Sequence, residues 1–212
     1  MTPDSDRARK RSHWGVVALV LLTGVALVRN GTEGSAPPQP DAASSAGRSP
    51  AVSAAARPGA LPAAGVRRVL IPAIHVDAPV AVVGRDKDGW IEAPPPQNRN
   101  LAGWYRGAVS PGERGTAIVV GHVDNQSGPA VFFALGALRT GAHIDVLRTD
   151  GRRAVFDVYG ISTFTKKNFP AGRVYGGTGR PELRVITCGG AYSTSTGYDG
   201  NVVVFARLSS VR

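Results

Sequence analysis

At 212 residues the chain is long enough for one domain of roughly 100–200 residues and a tail, and few aromatics (7%) beside 27 glycines and 16 prolines exclude a helical bundle in favour of a turn-rich β protein. The formal net charge is +10, most of it after residue 65, yet no recognition motif or aromatic–basic stripe accompanies it. That argues against nucleic acid as a partner and favours anionic membrane or cell-wall polymers as the counterpart.

Arg7, Arg9, Lys10 and Arg11 precede an apolar run from Trp14 to Val28, broken only by Thr23 and glycines. The run is short for a bilayer span of about 20 residues, but its flanks from Ser12 to Arg29 extend it and Arg29 can snorkel. The basic cluster predicts residues 1–30 as a cytoplasmic stub and single membrane-crossing helix, with the rest of the chain outside the cell. A cleaved signal peptide is the competing reading, and it lacks a clean small-x-small site after Val28. Residues 31–65 are Ala, Pro, Ser and Gly without apolar periodicity, and cannot bury enough surface to offset the entropy of ordering. They predict a disordered tether.

From residue 66 to 212 the pattern is one of short strands. They are expected at 66–72, 78–83, 90–93, 116–121, 142–148, 152–161, 182–188 and 201–208, with a Thr149-Asp-Gly151 hairpin turn between the fifth and sixth. The fourth, TAIVVG, is apolar throughout, as in a strand buried on both faces. Helical signal is confined to 129–138, where Phe132, Phe133 and Leu135 face inward. Eight strands at this spacing predict an all-β, eight-stranded closed barrel with short helical turns.

Two strand ends carry chemistry. His122 follows TAIVVG, and Cys188, the only cysteine, ends Glu182-Leu-Arg-Val-Ile-Thr-Cys188. If these strands are parallel neighbours, both side chains lie at one rim. An imidazolium promotes ionisation of a nearby thiol and later protonates a leaving amine, so the two form an acyl-transfer pair. The bland alternative is a strand-capping histidine and a small core cysteine. The order of the two residues argues against a papain-like protease, whose cysteine comes first. The tight Ser-His-Gly-Cys signature of L,D-transpeptidases is absent. His75 and His143 lack ligand-spaced partners, and Asp86, Asp88 and Glu92 lack the ligand density of a calcium loop, so neither a metal nor a cofactor is expected.

Gly103-Trp-Tyr105, Ser110-Pro-Gly-Glu-Arg-Gly115, Val120-Gly-His-Val-Asp124, Gly128-Pro-Ala-Val-Phe-Phe133, Val185-Ile-Thr-Cys-Gly-Gly190 and Val202-Val-Val-Phe-Ala206 occur in the order found in sortases. Over 66–208 the chain resembles that family, and is most similar to class F sortases of high-GC Gram-positive bacteria. The resemblance implies a sortase barrel and a cysteine transpeptidase that cleaves a Leu-Pro-x-Thr-Gly-like sorting signal on a secreted protein. Cys188 would attack the Thr carbonyl to give an acyl-thioester, and His122 would serve as acid and base. An amine of a cell-wall precursor or a pilin would release the product.

One position departs from the family pattern. Better-known classes open the last strand with an arginine that stabilises the oxyanion, and here the aligned residue is Asn201. Asparagine offers a hydrogen bond without charge. Asn201, Thr187, Gly189 (or the Gly190 amide) and Arg184 are therefore candidates for the oxyanion or substrate contact, with Arg106 a further arginine and Arg207 too far along the last strand. The runner-up reading is a weakly active or degenerate sortase-like protein that binds peptide or cell wall.

Overall fold

The computed structural model describes residues 36–41 and 58–212. Ten strands follow in chain order: β1 (Val66–Ile71), β2 (Val76–Val83), β3 (Ala102–Tyr105), β4 (Gly115–Gly121), β5 (Asp124–Asn125), β6 (Gly128–Pro129), β7 (His143–Arg148), β8 (Arg153–Thr165), β9 (Pro181–Ser193) and β10 (Gly197–Val211). Eight of them close a barrel in the order β1-β2-β3-β4-β9-β10-β8-β7, while β5 and β6 form a separate two-residue ribbon. Pairing is antiparallel except between β2 and β3 and between β4 and β9.

The expected barrel of eight strands is present, with one strand differently placed. Residues 90–93 are not a strand; they make a single bridge, Arg85 to Ile91, and Trp90 is exposed. The eighth strand is β3, whose Ala-Gly-Trp-Tyr run has no apolar alternation and gains its ladder from β2 across a long connection. Residues 129–138 hold one 3-10 turn, Leu135–Ala137, with Phe132 and Leu135 fully buried and Phe133 only partly so. A five-residue helix, α1 (Ala171–Tyr175), follows Pro170 and buries Val174.

The middles of β4, β9 and β10 are buried on both faces, which explains the apolar runs Ala117–Val120 and Val202–Ala206; the buried stretch of β9 also takes in Glu182, Arg184 and Thr187. Side chains alternate across a strand. Ala117, Val119, Leu183, Val185, Val202 and Val204 fill the barrel interior. Ile118, Val120, Ile186, Val203 and Phe205 point outward into a second cluster, roofed by Val174 of α1 and Phe169. The same alternation places position 122 after β4, position 188 in β9 and position 201 in β10 on the outward face.

The 31–65 stretch lies mostly outside the described residues, but two pieces of it are held on the barrel. Gln39 accepts a hydrogen bond from Thr163 at 3.3 Å, and Asp41 pairs with Arg139. Leu61 N–H donates to the Gly112 carbonyl at 2.8 Å, and Ala64 N–H to the Ser110 hydroxyl at 3.1 Å. Arg148, its side chain wholly buried, donates to the carbonyls of Pro62 and Pro111 and pairs with Asp150 at 2.9 Å. A proline-rich chain brings carbonyl acceptors and few donors, and this buried guanidinium supplies the donors. The expected membrane segment falls outside the described residues; among them no helix is long and apolar enough to cross a membrane.

Candidate active site

The site is built on the parallel pair β4/β9. Its ladder runs from Gly115 with Pro181 to Val120 with Ile186, so two residues further on His122 and Cys188 reach the same end of the barrel. Thr187, on the inward face, donates its hydroxyl to the Gly121 carbonyl at 2.8 Å and fastens the two strands there. On the other side of β9, Asn201 of β10 is the direct cross-strand partner of Cys188. His122, Cys188 and Asn201 thus stand on one face of three adjacent strands. All three line a cavity of about 460 Å³ whose remaining walls include Trp90, Ile91, Ile186, Phe169 and Tyr175.

Local sequence explains this arrangement. Gly121 must be glycine: a Cβ there would lie 2.6 Å from the Phe132 ring and 2.7 Å from Val131. That close approach lets residues 131–132 pass behind the histidine, where Phe132 N–H donates to the His122 carbonyl at 3.0 Å. After Cys188 the backbone turns through Gly190 at φ +88, a left-handed conformation that favours glycine. There the ladder with β10 is irregular between Tyr198 and Gly200, and the Asp199 carboxylate accepts from Ala191 N–H at 2.8 Å.

The imidazole of His122 is fixed by a loop. Nε2 lies 2.7 Å from the carbonyl oxygen of Pro94, which can only accept, so Nε2 carries a proton and Nδ1 is the atom left to exchange one. Pro94–Pro96 lacks N–H groups, and each of its three carbonyls has a donor: His122, the Asn98 N–H at 3.2 Å and the Asn125 side-chain amide at 2.7 Å.

Burial pushes the Cys188 thiol above its ordinary pKa; Lys166 pulls it down and Asp124 pushes it further up. The resting sulfur is therefore mostly thiol at neutral pH and gains nucleophilicity when a base takes its proton. Asp124, two residues after the histidine, accepts a hydrogen bond from Tyr198 on β10. Burial first, and this bond second, hold the Tyr198 phenol well above the usual tyrosine range, so it stays a donor. Tyr198 packs against Tyr192 with ring centroids 5.0 Å apart, fastening the far end of the β9/β10 hairpin.

The arginines weighed from sequence do not line this cavity. Arg184 shares a face with Cys188 but is buried, donates to Glu182 at 2.5 Å and lies 4.7 Å over the Phe205 ring. Glu182 also accepts from Tyr159 and Thr178, which makes it the hub of a separate buried network. Arg207 lies over Tyr159 at 5.0 Å, and the Arg106 side chain approaches Gly84. Lys166, just past β8, is the one lysine or arginine in the lining; nothing in its local sequence singled it out. Among the described residues no group of His, Cys, Asp or Glu is arranged to hold a metal ion.

A nucleophile, a proton carrier and a neutral donor in one apolar cavity on a closed β-barrel define a cysteine-dependent acyl transferase. Residues 69–209 match the sortase domain, and the chain belongs to the sortase family; it is a sortase-type cysteine transpeptidase. Sortase A from Listeria monocytogenes is 18% identical with a TM-score of 0.52, covering 70% of this chain and 90% of that one. The SrtA sortase from Actinomyces oris is 20% identical with a TM-score of 0.55, covering 74% and 89%. Sortase C1 from Streptococcus agalactiae is 18% identical with a TM-score of 0.52, covering 68% and 69%. At these identities the likeness is one of fold. No curated protein sequence matches the chain.

Proposed function

We propose that this transpeptidase is most akin to class F sortases and cleaves a Leu-Pro-x-Thr-Gly-like signal at the C-terminus of secreted proteins. The observation that carries the reading is the row His122–Cys188–Asn201 opening into one largely apolar cavity. His122 Nδ1 takes the thiol proton. The Cys188 thiolate attacks the threonine carbonyl, and His122 returns the proton to the departing amine. The acyl-thioester on Cys188 is then resolved by an amine of a cell-wall precursor or a pilin lysine. Residues 1–30 anchor the protein with its N-terminus in the cytoplasm, part of 31–65 spans the gap, and 66–212 works outside the membrane. The basic cluster before the apolar run supports this orientation.

Mass spectrometry of the protein incubated with a library of sorting-signal peptides and amine acceptors tests the reading. Cleavage, an acyl adduct on Cys188 and a transfer product are expected together. Peptide binding without any adduct would favour the degenerate, binding-only alternative. Protease protection of the N-terminal stub in intact cells tests the orientation.

A further inference from the structure

The oxyanion formed in acyl transfer lacks an obvious cationic partner. Asn201, directly across from Cys188, brings no charge, and Arg184 is committed to Glu182. The cross-strand register identifies another group. Cys188 pairs with Asn201 of β10, and Asn201 pairs with Phe164 of β8, so the three form one row across the sheet. Phe164 lies on the outward face, packed edge-on against Phe205 with centroids 6.3 Å apart. Lys166 is two residues further along, one residue past the end of β8. Its backbone is held in place by donation from its N–H to the Asp199 carbonyl at 2.8 Å. It is exposed, and it lines the cavity beside Cys188. Two strand spacings, about 10 Å, separate the β8 and β9 backbones. A flexible four-carbon stem and the substrate's acyl group together cover that distance.

We propose that Lys166 is a catalytic residue whose ammonium carries the charge that stabilises the oxyanion, with Asn201 as the neutral second donor. The inference rests on the transpeptidase reading of this same site. In the step, the Cys188 Sγ lone pair forms the S–C bond, and the carbonyl π pair moves onto oxygen. Lys166 and Asn201 donate hydrogen bonds to that oxygen without giving up a proton. The pair then returns to re-form C=O, the C–N bond breaks, and the amine leaves with the proton held by His122. The field of Lys166 at the thiol, which already opposes the effect of burial, is a second sign that its charge is directed at this sulfur. His122 and Tyr175 are the other titratable groups lining the cavity; Asp124 and Tyr198 act on the sulfur from beyond it, Asp124 in the opposite sense to Lys166.

The test separates an effect on the oxyanion from one on thiol ionisation. Two reactions of Cys188 are measured in the full chain at one fixed pH. Acylation by p-nitrophenyl acetate passes through a tetrahedral oxyanion, whereas alkylation by iodoacetamide does not. Both rates scale with the same thiolate fraction, so their ratio cancels it. Lys166→Ala should lower the acylation-to-alkylation ratio roughly tenfold, less than the 10²–10³ of a fully enclosed oxyanion donor. Lys166→Arg should restore most of the ratio, and Lys167→Ala, outside the cavity lining, should leave it unchanged. An unchanged ratio in Lys166→Ala overturns the proposal, whether or not both rates fall. A wild-type protein that is acylated by the ester but by no sorting-signal peptide would instead count against the substrate reading and leave the lysine result standing.

Discussion

Gly121→Ala is the sharpest test of how the barrel positions its chemistry. The added methyl would lie 2.6 Å from Phe132 Cδ2 and 2.7 Å from both Phe132 Cε2 and Val131 Cγ1. Carbon–carbon contacts settle near 3.5–4.0 Å, so something must move by about 1 Å. Phe132 is fully buried and Val131 nearly so, which leaves neither an easy exit. Overpacking of this kind costs about 1–3 kcal/mol, and the reduced entropy of the unfolded chain returns about 0.4–1 kcal/mol. Gly121 is not among the glycines of positive φ, so backbone strain adds nothing. We expect a net loss of about 1–2 kcal/mol from these opposing effects, read by urea unfolding through the fluorescence of half-buried Trp104. Activity should fall as well, because Gly121 precedes His122 and its carbonyl receives the Thr187 hydroxyl. Phe132→Leu relieves the clash, so the double variant should be more stable than the sum of the single changes predicts, by about 1 kcal/mol. Strict additivity, or a Gly121→Ala protein as stable and active as wild type, would refute the reasoning.

Other changes probe the site and its support. Cys188→Ala should abolish acyl transfer in the peptide assay, whereas Asn201→Ala should slow it by no more than about 10²–10³-fold, the effect of losing one oxyanion donor. Asp124→Asn removes a carboxylate that raises the thiol pKa, so the rise in iodoacetamide alkylation with pH should move to lower pH; a move to higher pH would contradict the assignment. Arg148→Met strips the donors from the Pro62 and Pro111 carbonyls, at about 1–3 kcal/mol for each group left unsatisfied, and should lower the thermal midpoint. The hydrogen bond from Arg148 holds the Asp150 carboxyl below its usual pKa, so its stabilisation is present above about pH 4 and is lost as pH falls through the lowered value. Acid titration of Arg148→Met should therefore show a shallower loss of stability than the wild type.

What could be read from the chain depended on how local each signal was. The middles of β4, β9 and β10 are mostly apolar because both of their faces are covered, which made these strands legible; His122 does follow the end of β4, but β9 runs on to Ser193 and β10 starts at Gly197, so Cys188 and Asn201 lie within strands where the sequence predicts an end and a start. The adjacency of His122 and Cys188 needed the parallel β4/β9 pairing, which sequence could only pose as a condition. The four residues Ala-Gly-Trp-Tyr of β3 carry no period and predict no strand, whereas Asp86-Lys-Asp-Gly89 reads as a turn leading into a strand at 90–93. That turn is capped by the Asp86 carboxylate, which accepts from the N–H groups of Asp88 and Trp90, and it leads into a single bridge. α1 is too short for helical periodicity and owes its place to buried Val174. Lys166 and Pro94 reach the site through tertiary structure, one at the end of β8 and the other on a loop. A lysine in Thr-Lys-Lys-Asn is indistinguishable by sequence from any solvated charge.

The three acceptor-only carbonyls of Pro94–Pro96 have a consequence for proton traffic. Because Pro94 can offer His122 nothing but a lone pair, the Nε2–H bond keeps its partner and direction whether the ring is neutral or cationic. The imidazole can therefore load and unload Nδ1 without breaking its anchor, rotating or exchanging partners. The surroundings need little rearrangement during turnover, which is the condition under which fixed dipoles are most effective.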